Sequence, residues 1–193
     1  MATDINAADV AVGAAVLLHP HPDYGGNRHH PFIDGLFRRL PEVSVSAVRF
    51  DFATSSPAEA RGQVLDGIES ATAGGPHLPV VLVGYSFGAA IGAMVDAPEL
   101  VGWYLLAPPS AMLGDAVIGA DLRPKSIQVP EHDQFSTTAS IEQATSGWRS
   151  TVVETVVGID HFLGDVRPIV ERAVDWIGSL LSAPAGGSRG RDR

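Results

Sequence analysis

Apolar, β-rich runs recur along the chain, separated by segments in which apolar residues return every three or four positions. The runs are Val10–His19, Val43–Phe52, Pro79–Tyr85, Leu100–Ala107, Ser126–Pro130 and Thr151–Val157. Several are nearly continuous in Val, Leu and Ile, as in Val80-Val81-Leu82-Val83. That is the signature of a strand buried on both faces, because alternation disappears when neither face meets water.

Between the runs, Pro31–Leu40 places Phe32, Leu36, Phe37 and Leu40 on one helical face. Pro57–Ala73 begins with Ser56 as a candidate N-cap and Pro57 in the first turn, where a missing N–H costs nothing. Phe87–Asp96 is rich in Ala and Gly, which weakens a helix but lets it approach a sheet closely. Asp165–Leu181 carries Val166, Ile169, Val170, Ala173, Val174, Ile177 and Leu181 at helical spacing and should close the fold. Pro108–Pro124 and Gln134–Gly147 are less regular; each has room for a short helix and neither for a cap domain.

Strands alternating with helices specify an α/β fold. The expectation is a doubly wound, mainly parallel six-stranded sheet with helices on both faces and spatial order 2-1-3-4-5-6, counting the predicted strands along the chain. A site is expected at the carboxyl ends, where strands one and three part. Residues 1–182 are read as one folded domain and the Gly- and Arg-rich residues 183–193 as a disordered tail.

Composition narrows the possibilities. The chain has 193 residues, 45% of them hydrophobic, enough for one domain with a sizeable core. A net charge of −9 argues against nucleic acid and anionic membrane surfaces as partners. With no cysteine, thiol nucleophiles, disulfides and cysteine-ligated metals are excluded. The first ten residues carry Asp4 and Asp9 with no basic start, and the apolar stretch behind them is short for a signal sequence. A cytoplasmic protein is expected, and the sequence leaves its oligomeric state open.

Candidate chemistry begins at Gly84-Tyr85-Ser86-Phe87-Gly88, where a strand runs into a Gly-x-Ser-x-Gly turn and then a helix. Such a turn holds its serine in a strained backbone conformation and needs small flanking residues. A serine there also lies beside unpaired N–H groups, so the Phe87 amide is the expected first donor to an oxyanion. The plainer reading is a tight turn in which Ser86 merely caps the helix.

A serine hydroxyl needs a base, and the base needs a group to fix its tautomer. After the fifth predicted strand comes Glu131-His132-Asp133-Gln134-Phe135, in which Asp133 is the chosen acid and Glu131 the alternative. After the sixth comes Gly158-Ile159-Asp160-His161-Phe162, with His161 in a loop before the last helix.

These three blocks resemble the catalytic blocks of α/β-hydrolases. A fourth, His19-Pro20-His21-Pro22-Asp23-Tyr24-Gly25-Gly26-Asn27, resembles a segment of small lidless hydrolases of the dienelactone-hydrolase-like and acyl-peptidase-like kind. The likeness spans roughly Val10 to Leu181. It implies hydrolysis of an ester, thioester or amide of a small acyl substrate without a cofactor. Dienelactone hydrolases proper use a cysteine, so their substrate does not carry over.

In the fourth block Pro20 and Pro22 have no N–H. The second oxyanion donor then falls to His21, with Asp23 or Tyr24 next in line. Tyr24, Phe135 and Phe162 are expected to line an acyl pocket, as is Tyr85.

Two competing readings exist. His19, His21, His29 and His30, with Asp23 among them, could hold zinc, but their spacing fits no standard site. Alternatively the chain is a non-catalytic member of the fold that binds a small molecule or a protein partner. The complete set of nucleophile, acid and base in chain order argues against it.

Overall fold

The computed structural model describes residues 2–73 and 78–182; the predicted tail lies outside them. Seven strands form one sheet: β1 (Thr3–Asn6), β2 (Gly13–Leu18), β3 (Val45–Phe50), β4 (Val80–Tyr85), β5 (Leu100–Leu106), β6 (Lys125–His132) and β7 (Thr151–Asp160). Their spatial order is β1-β3-β2-β4-β5-β6-β7, with every pairing parallel except β1 with β3. The predicted order is therefore present with one strand added at the edge. Five α-helices accompany the sheet: α1 (Pro31–Arg39), α2 (Pro57–Thr72), α3 (Phe87–Ala93), α4 (Thr138–Ala144) and α5 (Arg167–Ser182).

Alternate side chains of each strand feed two cores. Ala14, Val16 and Leu18 of β2 join Val80 and Leu82 of β4 under α2, α3 and α4. Ala15 and Leu17 of β2 join Val81 and Val83 of β4 under α1 and α5. Both faces are thus covered by helices, which is what the unbroken Val/Leu runs require. No helix among the described residues is long and apolar enough to cross a membrane.

The structure corrects the sequence reading in several places. The seventh strand, β1, is short and polar, and charge holds it in place. Asp4 accepts hydrogen bonds at 3.1 Å from both Arg28 and Arg49, and Arg49 also reaches Asp34 at 2.8 Å. The strand β6 runs on through Pro130 to His132, because a register shift there absorbs the missing N–H. Helix α3 stops at Ala93, short of the expected Asp96, where the N–H groups of Met94 and Val95 turn to the carbonyls of Ile91 at 3.0 Å and Gly92 at 3.2 Å in the tighter pattern that ends a helix. Helix α5 starts at Arg167, whose N–H is capped by the Asp165 carboxylate at 3.1 Å. Ser56 occupies the N-cap position of α2, but its hydroxyl makes no cap bond.

Candidate active site

The parting of β3 and β4 to either side of β2 opens a crevice at the carboxyl ends of the strands. Five loops reach it, from the ends of β2, β4, β5, β6 and β7. The β4 loop places Ser86 at φ 54° and ψ −115°, a region disfavoured for a residue with a Cβ. Packing imposes this conformation. A Cβ on Gly84 would lie 2.4 Å from the Gly88 carbonyl oxygen, and one on Gly88 would lie 2.3 Å from the Leu18 carbonyl oxygen. Gly88 therefore seats α3 directly on the end of β2.

Ser86 stands at the N-cap position of α3, yet its side chain makes no capping bond. Its hydroxyl is turned instead to Nε2 of His161 at 3.0 Å. The plain capping role does not describe this serine.

The acid and base loops meet because their strands are neighbours. His132, the last residue of β6, pairs with Asp160, the last of β7. The next residue in each chain segment is Asp133 and His161. Nδ1 of His161 lies 2.7 Å from Asp133 Oδ2. A carboxylate only accepts, so Nδ1 carries the proton and Nε2 presents its lone pair to the serine O–H.

The other oxygen of Asp133 accepts from the N–H groups of Phe135 at 2.8 Å and Ser136 at 2.9 Å. Burial by itself would raise its pKa. The hydrogen bond to His161 and the two backbone amides outweigh that effect and hold the carboxyl below its ordinary value. Its side chain is fully enclosed.

Glu131, the alternative acid, is half-exposed and accepts the Gly158 N–H at 2.8 Å. It braces the base loop, where Gly158 has φ 78°. Sequence reasoning missed two further braces. The N–H of His161 donates to Gln134 Oε1 at 3.2 Å, and the Tyr85 hydroxyl donates to the His161 carbonyl at 2.5 Å. Burial first, then Asp133 and Asp160, push the Tyr85 phenol upward, so it stays a donor. Gln134 lay within a quoted block, but nothing in the sequence tied it to His161.

The β2 loop narrows the choice of second oxyanion donor. The Asp23 N–H is engaged by Nδ1 of its neighbour His21 at 3.3 Å, and the Tyr24 N–H by the His21 carbonyl at 3.2 Å. Among the described residues, the His21 N–H has no such acceptor. Gly26 packs beneath the loop, where a Cβ would fall 2.1 Å from the Pro20 carbonyl oxygen.

All four predicted pocket residues, Tyr24, Tyr85, Phe135 and Phe162, line a cavity of about 550 Å³ above Ser86. Pro109, Met112 and His30 also line it, and no sequence signal marked them.

Two of the histidines that suggested zinc, His19 and His30, have other partners. His19 is buried, accepts the Phe52 N–H at 2.8 Å on Nε2 and lies 2.6 Å from the Pro20 carbonyl through Nδ1. His30 caps α1 by accepting the Phe32 N–H at 3.3 Å. Burial first, then the neighbouring His19, push His30 down to about 4, and burial lowers His19 too.

Nε2 of His19 and Nδ1 of His30 each accept a backbone N–H, so both rings are neutral at pH 7 in the folded state. Between the ordinary value of 6.5 and about 4 the unfolded chain binds more protons at His30 than the native chain does. The His30 contribution to stability should thus fall progressively as pH drops from 6.5 towards 4 and be fully lost below. Urea midpoints measured from pH 7 to pH 4 should show this fall, and His30→Asn, a cap that does not titrate, should flatten it. An unchanged slope in the variant would remove His30 as a source.

Neither family models nor curated protein sequences match the chain. Solved structures do. An α/β serine hydrolase homologue from Coxiella burnetii is 20% identical with a TM-score of 0.70, covering 92% of this chain and 89% of its own. A serine hydrolase without a lid from Xanthomonas campestris is 17% identical with a TM-score of 0.73, covering 93% and 85%. The esterase domain of a Rhodothermus marinus protein is 17% identical with a TM-score of 0.70, covering 93% and 92%. The likeness runs over nearly the whole length on both sides.

Proposed function

We propose that this chain, which has the α/β-hydrolase fold, is a serine hydrolase that cleaves a carboxylic ester through an acyl-enzyme. One observation carries the reading: an unbroken hydrogen-bond chain runs from Asp133 through His161 to Ser86, at 2.7 Å and 3.0 Å. A binding module has no use for a serine held at positive φ against the lone pair of an imidazole.

In the reaction, Ser86 Oγ attacks the carbonyl carbon while His161 Nε2 takes its proton. Asp133 stabilises the resulting imidazolium and keeps Nδ1 as the protonated nitrogen. The carbonyl oxygen, now an anion, is held by the N–H groups of Phe87 and His21. Collapse expels the alcohol, which takes the proton from His161. Water, deprotonated by the same imidazole, then attacks the acyl-serine and restores Ser86. Every step uses groups of the chain itself and water.

A fluorophosphonate should label the protein stoichiometrically at Ser86, located by peptide mass spectrometry. p-Nitrophenyl esters should be turned over, and acyl thioesters and aminoacyl anilides run beside them define the bond type. Failure of both labelling and turnover across the panel would leave a non-catalytic binding protein as the reading.

A further inference from the structure

The chain has seven Phe, three Tyr and three Trp residues. Among the described residues only three of these rings are exposed: Tyr24 at 88%, Phe135 at 62% and Phe162 at 68%. All three line the cavity above Ser86, and they arrive there from three separate loops, after β2, β6 and β7. The fold buries or half-buries every other large aromatic. Leaving a ring in water forfeits the large burial gain that aromatic side chains offer. Concentrating all the exposed rings at one mouth has no use in folding, and it supplies a surface that a flat apolar group would cover.

The rings also have a direction. Phe135 stands edge-on to the His161 imidazole with centroids 4.5 Å apart, and Phe162 does so at 5.8 Å. His161 is the group that protonates the departing alcohol, so two of the three rings flank the leaving-group side of the reaction. Tyr24 lies against His21, with centroids 4.9 Å apart. Among the described residues, no Lys, Arg, Asp or Glu lines the cavity. A charged substituent would therefore lose hydration there without meeting any of those four charged side chains.

We infer that the substrate is an uncharged ester whose leaving alcohol carries an aromatic ring, covered by Phe135 and Phe162 with Tyr24 at the rim. This rests on the serine-hydrolase reading above. Edge-to-face contacts favour an aromatic ring over a saturated one of the same size by about fivefold.

The test is kcat/KM, read by proton release, for four neutral or charged acetates and two acyl-side controls. Benzyl acetate should exceed cyclohexylmethyl acetate by about fivefold. Both Phe135→Leu and Phe162→Leu, which keep apolar bulk without a ring, should lower that ratio towards one, with methyl acetate giving the baseline rate of each variant. 4-Carboxybenzyl acetate should be at least tenfold poorer than benzyl acetate. A ratio near one in the wild type, a preference confined to methyl 3-phenylpropanoate over methyl 3-cyclohexylpropanoate, or equal use of the carboxylate ester would each overturn the inference while ester turnover upholds the hydrolase reading. Absence of turnover on every ester, with no fluorophosphonate label, would remove both.

Discussion

Ser86→Ala should leave a folded protein whose ester turnover has fallen roughly 10⁵–10⁶-fold, to whatever binding and the oxyanion donors alone supply. The backbone bonds of residue 86 do not involve its side chain. Its N–H donates to the Leu106 carbonyl at 2.9 Å and its own carbonyl accepts from Ala90 at 3.1 Å. The hydroxyl's one hydrogen-bond partner among the described residues is His161, and it does not cap α3. Circular dichroism and the thermal midpoint should therefore match wild type while kcat collapses and the fluorophosphonate label disappears. Retained turnover would take Ser86 out of the mechanism.

A companion variant separates chemistry from strain. At φ 54° and ψ −115° a residue with a Cβ carries about 1–3 kcal/mol of conformational cost, which glycine largely escapes. Glycine's greater freedom in the unfolded chain takes back about 0.5–1 kcal/mol. Ser86→Gly should therefore be inactive yet about 1 kcal/mol more stable than Ser86→Ala. Equal stability of the two variants would mean that the elbow is unstrained.

Much of this arrangement is legible in the sequence because each signal is local. Val80-Val81-Leu82-Val83 reads as a doubly buried strand, and it is one. The Gly84 and Gly88 pair announced a close approach, and the contacts that a Cβ would make there explain the need. The order nucleophile, acid, base and the resemblance of the Glu131–Phe135 and Gly158–Phe162 blocks to catalytic blocks place an acid after one strand and a base after the next, and the neighbouring positions of β6 and β7 bring them into reach.

What stayed hidden depends on partners far away in sequence. Strand β1 has no apolar run of its own; antiparallel pairing with β3 forms it, and Arg49, 45 residues on, meets Asp4 across that pair. Tyr85 was assigned to the substrate pocket, and its ring does line it. Its hydroxyl, however, is committed to a carbonyl 76 residues away. No periodicity reveals a hydrogen bond between two loops. The same holds for the exposure of Tyr24, Phe135 and Phe162, since nothing in a sequence distinguishes an aromatic at a loop tip from one folded beneath it.

The two carboxylates at the end of β6, Glu131 within the strand and Asp133 just beyond it, should differ sharply on substitution. Asp133→Asn should lower kcat on the order of 10³–10⁴-fold with little loss of fold. The reason lies in the amides of Phe135 and Ser136, which donate to one side of the group. They will hold the carboxamide oxygen, turning its NH₂ towards His161 Nδ1. That nitrogen must then accept, the ring proton moves to Nε2, and the base that should take the serine proton now points a hydrogen at it. Glu131→Gln should change kcat by less than about twofold, because a carboxamide oxygen still accepts the Gly158 N–H in an exposed setting where one neutral bond contributes about 1 kcal/mol or less. Steady-state kinetics on a single activated ester, with both variants at matched folded fraction, decides between them. If Glu131→Gln is the crippled enzyme and Asp133→Asn the healthy one, the orienting carboxylate belongs to position 131, and a loop rearrangement must accompany substrate binding.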